Sequence, residues 1–291
     1  MRNARLVSGA ALLVVAWLAG CNAQLPRVPA EGSGTQEVRP VIVQGAMDLE
    51  VRKLAGALDN VSVENIQGWT FWRGTLDGYP VVVSKTMKGV SNAAAATAIA
   101  ADHYRPVAIV NQGTAGGHEP QLHVYDIVLG KYSVNLGSFK TAYRKAGQGS
   151  DFLQWKPLDL MKTEGSAGED PNEHTMRRFE GNEQLLAAAA SVKHLYRKGR
   201  VVEGVIGSGE IWNSELDRIQ WFHDQYGTSV EEMETASAAQ IAGIVRIPFL
   251  GIRVVSNNIT NGGTYDPKTG EACQEYVYEV VKAYIGSRVK R

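Results

Sequence analysis

The sequence predicts an α/β fold, a mostly parallel sheet covered by helices, on three observations. Valine- and isoleucine-rich runs of strand length recur at 41–43, 79–83 and 107–110. Helix-forming segments separate them, one of them alanine-rich ("GVSNAAAATAIAADHY"). Glycines punctuate the strand ends. Strands joined through helices pair in parallel, because a parallel pair needs a crossover longer than a hairpin turn.

Val41-Ile42-Val43 reads as a short buried strand, Gly45-Ala46 as a tight turn, and Met47 onward as a helix with apolar positions at Val51 and Leu54. "GYPVVVSKT" is the next strand, the alanine-rich segment the next helix, and "RPVAIVNQGTAGG" a strand closing in a glycine-rich turn. From about 137 to 180 the periodicity breaks down, and a long surface excursion with substrate-side loops or partner contacts is expected. Regularity returns with the helix "NEQLLAAAASVKHLYRKG", the strand "VVEGVIGSGE", the helix "SVEEMETASAAQIAGIV" and the strand "IPFLGIRVV". "EACQEYVYEVVKAYIGSRVKR" ends the chain as an amphipathic helix whose basic last turn suits the helix dipole.

The chain has 291 residues, 44% hydrophobic and 21% charged, with a formal net charge of +0. Those are ordinary globular values, and the lack of a basic excess argues against a nucleic-acid binder. The opening residues are different. Arg2 and Arg5 precede the short apolar core "LVSGAALLVVAWLAG", the pattern of a secretory signal and too short to span a membrane comfortably. It ends in "LAGC", which resembles the bacterial lipoprotein box, so Cys21 is expected to be lipidated; a plain secretory signal is the alternative. The expected organisation is a signal over 1–20, a lipidated cysteine and flexible tether over 21–38, and one domain over 39–291. The expected location is the extracytoplasmic face of a bacterial envelope, on the outer membrane in a Gram-negative source because Asn22 is not aspartate. Cys273 is then the remaining thiol, with no partner for a disulfide, and reads as a buried inert cysteine.

Four segments after strands carry polar groups. Glu50 sits in the first turn of a helix, where it serves either chemistry or the helix dipole. "NQGTAGG" lets a ligand approach the backbone beside the Thr114 hydroxyl, and lacks the Gly-Lys-Ser/Thr of a P-loop. Trp212 in "GSGEIWN" is a flat wall for an aromatic ligand or a core residue. The run Glu231-Glu232-Met233-Glu234 reads as the start of a helix, either solvated or with at least one carboxylate turned inward. The strand "LGIRVVSNN" then brings Arg253, Ser256 and Asn257 to a strand end, where α/β enzymes place their chemistry. No HExxH motif or His–acid cluster predicts a metal, and there is no GxSxG nucleophile elbow.

Taken in order, "IVQGAMDLEV", "KGVSNAAAATA…VNQGTAGG", "GVIGSGEIWN" and "VEEMETASAAQIAGIVRIPFLGIRVVSNN" resemble the nucleoside phosphorylase superfamily, nearest its 5′-methylthioadenosine/S-adenosylhomocysteine nucleosidase branch. The resemblance covers residues 41 to 285. It implies a three-layer α/β/α sandwich around a mixed, partly closed sheet, a homodimer, a purine nucleoside as substrate and no cofactor. It implies that Glu50 activates water, Thr114 offers a hydroxyl near ribose and water, and Trp212 stacks on the base. Met233 and Glu234 fall on the ribose-binding pair, and Arg253 and Ser256 on residues that orient the water and the catalytic side chain. The "GAM" sequence before Glu50 favours hydrolysis over phosphorolysis. Asn257 departs from the pattern, because adenine-specific nucleosidases hold an aspartate there as the acid for purine N7. The implied function is a purine nucleosidase; a purine nucleoside phosphorylase and a nucleoside-binding lipoprotein with a disabled site are the alternatives. For the anchor, Cys21→Ala should move the protein from the membrane fraction to the soluble fraction; persistent membrane partitioning would refute lipidation at Cys21.

Overall fold

The computed structural model describes residues 38–162 and 174–289. The signal, Cys21 and nearly all of the tether lie outside the described residues, as does 163–173 of the excursion. Strand β1 (Val41–Gly45) and helix α1 (Asp48–Ala55) open the fold. A hairpin of β2 (Asp59–Ile66) and β3 (Trp69–Leu76) follows, running on into β4 (Tyr79–Lys85), helix α2 (Val90–Tyr104) and β5 (Ala108–Gly117). Next come β6 (Ile127–Asn135), the short β7 (Phe139–Lys140), β8 (Lys156–Pro157) and β9 (Arg178–Glu180), then α3 (Glu183–Val192). The chain continues through β10 (Val201–Ser208), α4 (Leu216–Tyr226), β11 (Thr228–Glu232), α5 (Thr235–Ile244), β12 (Phe249–Asn257) and α6 (Thr269–Val289).

The main sheet is mixed and runs β11-β10-β6-β12-β5-β1-β4-β3-β2. Strand β1 pairs in parallel with β4 and β5, and β5 in parallel with β12, while the β2–β3–β4 hairpins and the β6–β12 pair are antiparallel. The far end closes on itself. Val230 and Glu231 of β11 pair with Gly117 and Gly116 of β5, so the strip from β5 to β11 curls into a partial barrel.

Alternation along the strands makes the three layers, since successive side chains point to opposite faces. Val41, Val43, Val81, Val83 and Val110 meet α1, α3 and α6 on one face, with Cys273, Val277 and Tyr284 in the same cluster. Ile42, Val82 and Ile109 meet the alanine-rich α2 and α5 on the other. Small side chains at Ala100, Ala238 and Ala242 let those two helices lie close together and against the sheet. Cys273 is fully buried, and burial pushes its thiol up to about 12, the chemistry of an inert core cysteine.

Three expectations are corrected. The segment "NQGTAGG" is not a turn: β5 runs straight through it to Gly117, because its glycines accept close neighbours while staying extended. The run Thr228–Glu232 is strand β11, not the start of a helix, and α5 begins only at Thr235. The segment 137–180 is not wholly a surface excursion. Phe139, Phe152 and Trp155 turn back onto Trp221 and Phe222 of α4 in an aromatic cluster with rings about 6 Å apart. Sequence reasoning missed strands β2, β3 and β6 and helix α4.

Candidate active site

The turn between β1 and α1 aims Glu50 back at the strand ends. Its carboxylate accepts from the Ala46 and Met47 N–H groups at 2.9 and 3.1 Å, and from the Thr114 N–H and hydroxyl at 2.9 and 3.0 Å. Four donors at the N-terminus of a helix hold the group, which is 3% exposed. The fit depends on Gly113, where a Cβ would stand 2.7 Å from Glu50 Oε1. Thr114 thereby anchors Glu50 as well as facing the cavity.

Behind this lies a buried ionic network. Arg253 donates through Nε at 3.0 Å to Glu232 Oε2, and through its terminal nitrogens to that oxygen, to Asn111 and to the Ile252 carbonyl. Burial alone would raise the Glu232 carboxyl. The Arg253 charge, a hydrogen bond from Ser208 and the N–H groups of Glu234 and Thr235 overcome it and hold Glu232 below the usual range. Glu234 is less well served. The Gly89 N–H reaches its Oε1 at 2.9 Å, and Arg253 comes no nearer than 3.9 Å. Burial, and then the neighbouring Glu232 charge, push Glu234 up to about 8.

Glu50, Thr114, Trp212, Met233, Glu234, Ser256 and Asn257 all line one cavity of about 500 Å³ at the closed end of the sheet. Arg253 does not line it; its guanidinium is engaged beneath the floor and bears on the site through Glu232 and Glu234. Trp212 is not core: it is 69% exposed at the mouth, edge-on to Tyr265 with ring centroids 6.1 Å apart. The Ser256 hydroxyl lies 3.1 Å from both the Ala115 carbonyl and Asn257 Oδ1. Asn257 lines the cavity and Asn258 does not. Asn258 is fully buried, donates to the Glu119 and Leu122 carbonyls and accepts from Thr260, so it staples the loop after β12. Gly117 makes room for it, since a Cβ there would fall 2.5 Å from the Asn258 amide.

Sequence reasoning missed His118, Asn213 and Lys88, which also line the cavity. It did not single out Glu231 within the acidic run. His118 Nε2 lies 2.9 Å from Glu231 Oε2, Asn213 donates to the same oxygen at 3.0 Å, and the other His118 nitrogen meets the Thr228 hydroxyl at 2.8 Å. The available signal was a histidine directly after the glycine segment and a carboxylate on a strand that neighbours it. Among the described residues no group of three or more His, Cys, Asp or Glu side chains is arranged to hold a metal.

Glu234 gives the site a pH signature. Its native carboxyl keeps a proton up to about 8, whereas the unfolded chain ionises it near 4.5. Across that window the native state binds a proton that the unfolded state lacks, so stability falls as pH rises and levels off above it. Thermal unfolding of Glu234→Gln should lack this downward slope; an unchanged profile would show that Glu234 does not titrate in this window.

The Phosphorylase superfamily model matches residues 40–286 of the chain. A 5′-methylthioadenosine/S-adenosylhomocysteine nucleosidase of Bacillus thuringiensis (strain Al Hakam) is 28% identical over 222 residues, 75% of this chain and 85% of that protein. A Bacillus cereus (strain B4264) protein of the same name is 29% identical over the same shares. The structure of such a nucleosidase from Colwellia psychrerythraea, in complex with adenine, superposes with a TM-score of 0.67 at 25% identity, covering 85% of this chain and 96% of that one. Futalosine hydrolase of Helicobacter pylori shares the fold, at a TM-score of 0.66 and 18% identity over 84% of this chain and 98% of that one. With the family model matched from the residue before β1 into the last turns of α6, the chain belongs to the phosphorylase superfamily.

Proposed function

We propose that the protein is a purine nucleosidase that hydrolyses the N-ribosidic bond to give the free base and the sugar. The observation that carries this reading is the Glu50 carboxylate, fixed by four donors in the wall of a cavity that also holds Glu234. The relatives that span three-quarters of the chain, named as nucleosidases, support it. Water attacks the anomeric carbon, Glu50 takes its proton, and the bond to the base breaks. The sugar gains the hydroxyl, the departing base takes its proton from solvent, and Glu50 gives the water proton back to solvent, so the proton count closes.

Cleavage builds positive charge on the sugar, which the nearby carboxylates stabilise. In the cavity without ligand Glu234 holds a proton near neutrality; sugar hydroxyls donating to it favour its ionised form. Met233 flanks the sugar, Trp212 stacks on the base, and Arg253 holds Glu232 and Glu234 in register. Ser256 orients Asn257, whose amide hydrogen-bonds the purine edge without supplying a proton. We also propose that Cys21 anchors the protein by lipid to the cell envelope.

A second reading is favoured by Asn257 alone: a nucleoside-binding lipoprotein that retains the pocket without turnover. General acid catalysis contributes about 10²–10⁴ in rate, and an amide cannot supply it. Base release from adenine, hypoxanthine and guanine nucleosides, with and without phosphate, separates the readings. Tight binding without release supports the binding protein, and phosphate-dependent release supports a phosphorylase.

Two variants test the residue roles. Glu50→Gln should lower turnover by about 10²–10⁴ while nucleoside binding persists; turnover at the wild-type rate would remove Glu50 from the mechanism. Asn257→Asp restores an ionisable acid and should raise kcat on 6-aminopurine nucleosides by about tenfold or more. No gain would show that the missing acid does not limit the rate.

A further inference from the structure

We propose that the end of the sheet opposite the cavity is a docking surface for an anionic lipid bilayer, which holds the cavity mouth toward the aqueous side. Three adjacent strands enter the sheet through an arginine and a proline. These are Arg39-Pro40 before β1, Arg105-Pro106 before β5, and Arg246-Ile247-Pro248 before β12. The Val107 N–H donates to the Pro40 carbonyl and the Ile109 N–H to the Pro248 carbonyl, each at 2.9 Å, so the entries lie side by side. Neighbouring strands run about 5 Å apart, which sets the three arginines in a row. All three are exposed, and none makes an ion pair or a side-chain hydrogen bond among the described residues.

Aliphatic side chains stand beside this row, with Val38 57%, Ile244 59% and Val245 45% exposed. Arg105 closes α2 and Arg246 follows the last turn of α5, where a cation suits a helix C-terminus. The dipole accounts neither for Arg39, which follows no described helix, nor for the bare aliphatic groups. Asp77, at the adjoining turn between β3 and β4, is engaged by Lys282 at 3.4 Å. Asp102, one turn back on α2, is exposed, and the three arginines outnumber it.

Guanidiniums interleaved with exposed aliphatic groups match a bilayer of anionic lipids. Its headgroups take the charges, and the boundary with the acyl chains takes the apolar side chains. The point where the preceding chain joins the fold indicates the same occupant. Residues 22–37 lead from Cys21, the lipid anchor proposed above, to Val38 in this patch. An anchor makes the contact intramolecular, so the weak attraction of three charges suffices at the high local concentration of lipid. At about 3.3 Å per residue, Thr114 on the cavity wall lies about 30 Å along the chain from Arg105. A protein docked through the row thus opens its cavity away from the bilayer.

The test uses the chain from Asn22 onward, in which residues 38–291 form one compact unit. An N-terminal histidine tag holds it to a chelating lipid in the vesicle, so the outcome is independent of lipidation at Cys21. A fluorophore is placed on Val245→Cys, or on Leu216→Cys between Trp212 and Ile219 of the cavity lining; Cys273 is buried and stays unlabelled. Nitroxide lipids quench at headgroup depth. In phosphatidylcholine vesicles with phosphatidylglycerol, the Val245 probe should be quenched and the Leu216 probe should not; with phosphatidylcholine alone, neither should be. Replacing Arg39, Arg105 and Arg246 together by glutamine should weaken docking about 100-fold, at about fivefold per arginine. The Val245 probe should then return to its value on neutral vesicles, as it should in high salt. Equal quenching of both probes on anionic vesicles, or Val245 quenching that survives the triple substitution or high salt, would overturn the proposal. A dimer that the triple substitution dissociates, without any vesicle dependence, would assign the row to a second copy of the chain and overturn it as well.

Discussion

The fully buried contact between Arg253 and Glu232 ties the closed end of the sheet together. Arg253 lies on β12, Glu232 on β11 and Asn111 on β5, so one guanidinium joins the three strands whose ends form the cavity. Such a pair contributes little to stability relative to an apolar replacement, because both charges lose their water. Removing one partner is another matter and costs about 3–5 kcal/mol, since the other charge is left buried alone. The pair therefore acts as a geometric lock. It fixes where β11 ends and α5 begins, and with that the positions of Met233 and Glu234.

That lock also organises the remaining carboxylates. Glu50, Glu231, Glu232 and Glu234 crowd one cavity, and each is stabilised by a different device. Glu50 has backbone donors and a threonine, Glu232 has a guanidinium, and Glu231 has an imidazole and an amide. Glu234 has the least, one N–H and a distant cation, and burial with the neighbouring Glu232 charge displaces it far toward the neutral form. A group with unfilled acceptor capacity beside a cavity is suited to take hydrogen bonds from a ligand.

Much of this was legible in the sequence. Seven of the eight chosen catalytic and substrate-contact positions converge on one cavity, because strand ends in an α/β sheet gather at one edge. What stayed hidden is equally physical. The β2–β3 hairpin has few fully buried residues and gives no strong alternation, so its run of polar and aromatic residues carried no period. Helix propensity in "ETASAAQ" masked the strand that precedes it, and the pairing of Glu231 with His118 spans 113 residues, beyond any local pattern. Arg253 was expected at a strand end, but it lies in the middle of β12, and only packing shows that its guanidinium is engaged by Asn111 and Glu232 and does not line the cavity.

The glycine segment of β5 has one more consequence. Between Glu231 and Asn257 the sheet is bare main chain at Gly116, and the side chains that flank it belong to the two neighbouring strands. Chemistry and scaffold are thereby uncoupled. Substitutions on β11 or β12 can change the groups that line the cavity while the hydrogen-bonded platform stays as it is. Single codons can thus alter the chemistry of a pocket whose shape is inherited. The asparagine at position 257, where the sequence resemblance implies an aspartate, is the kind of side-chain change that such a layout permits.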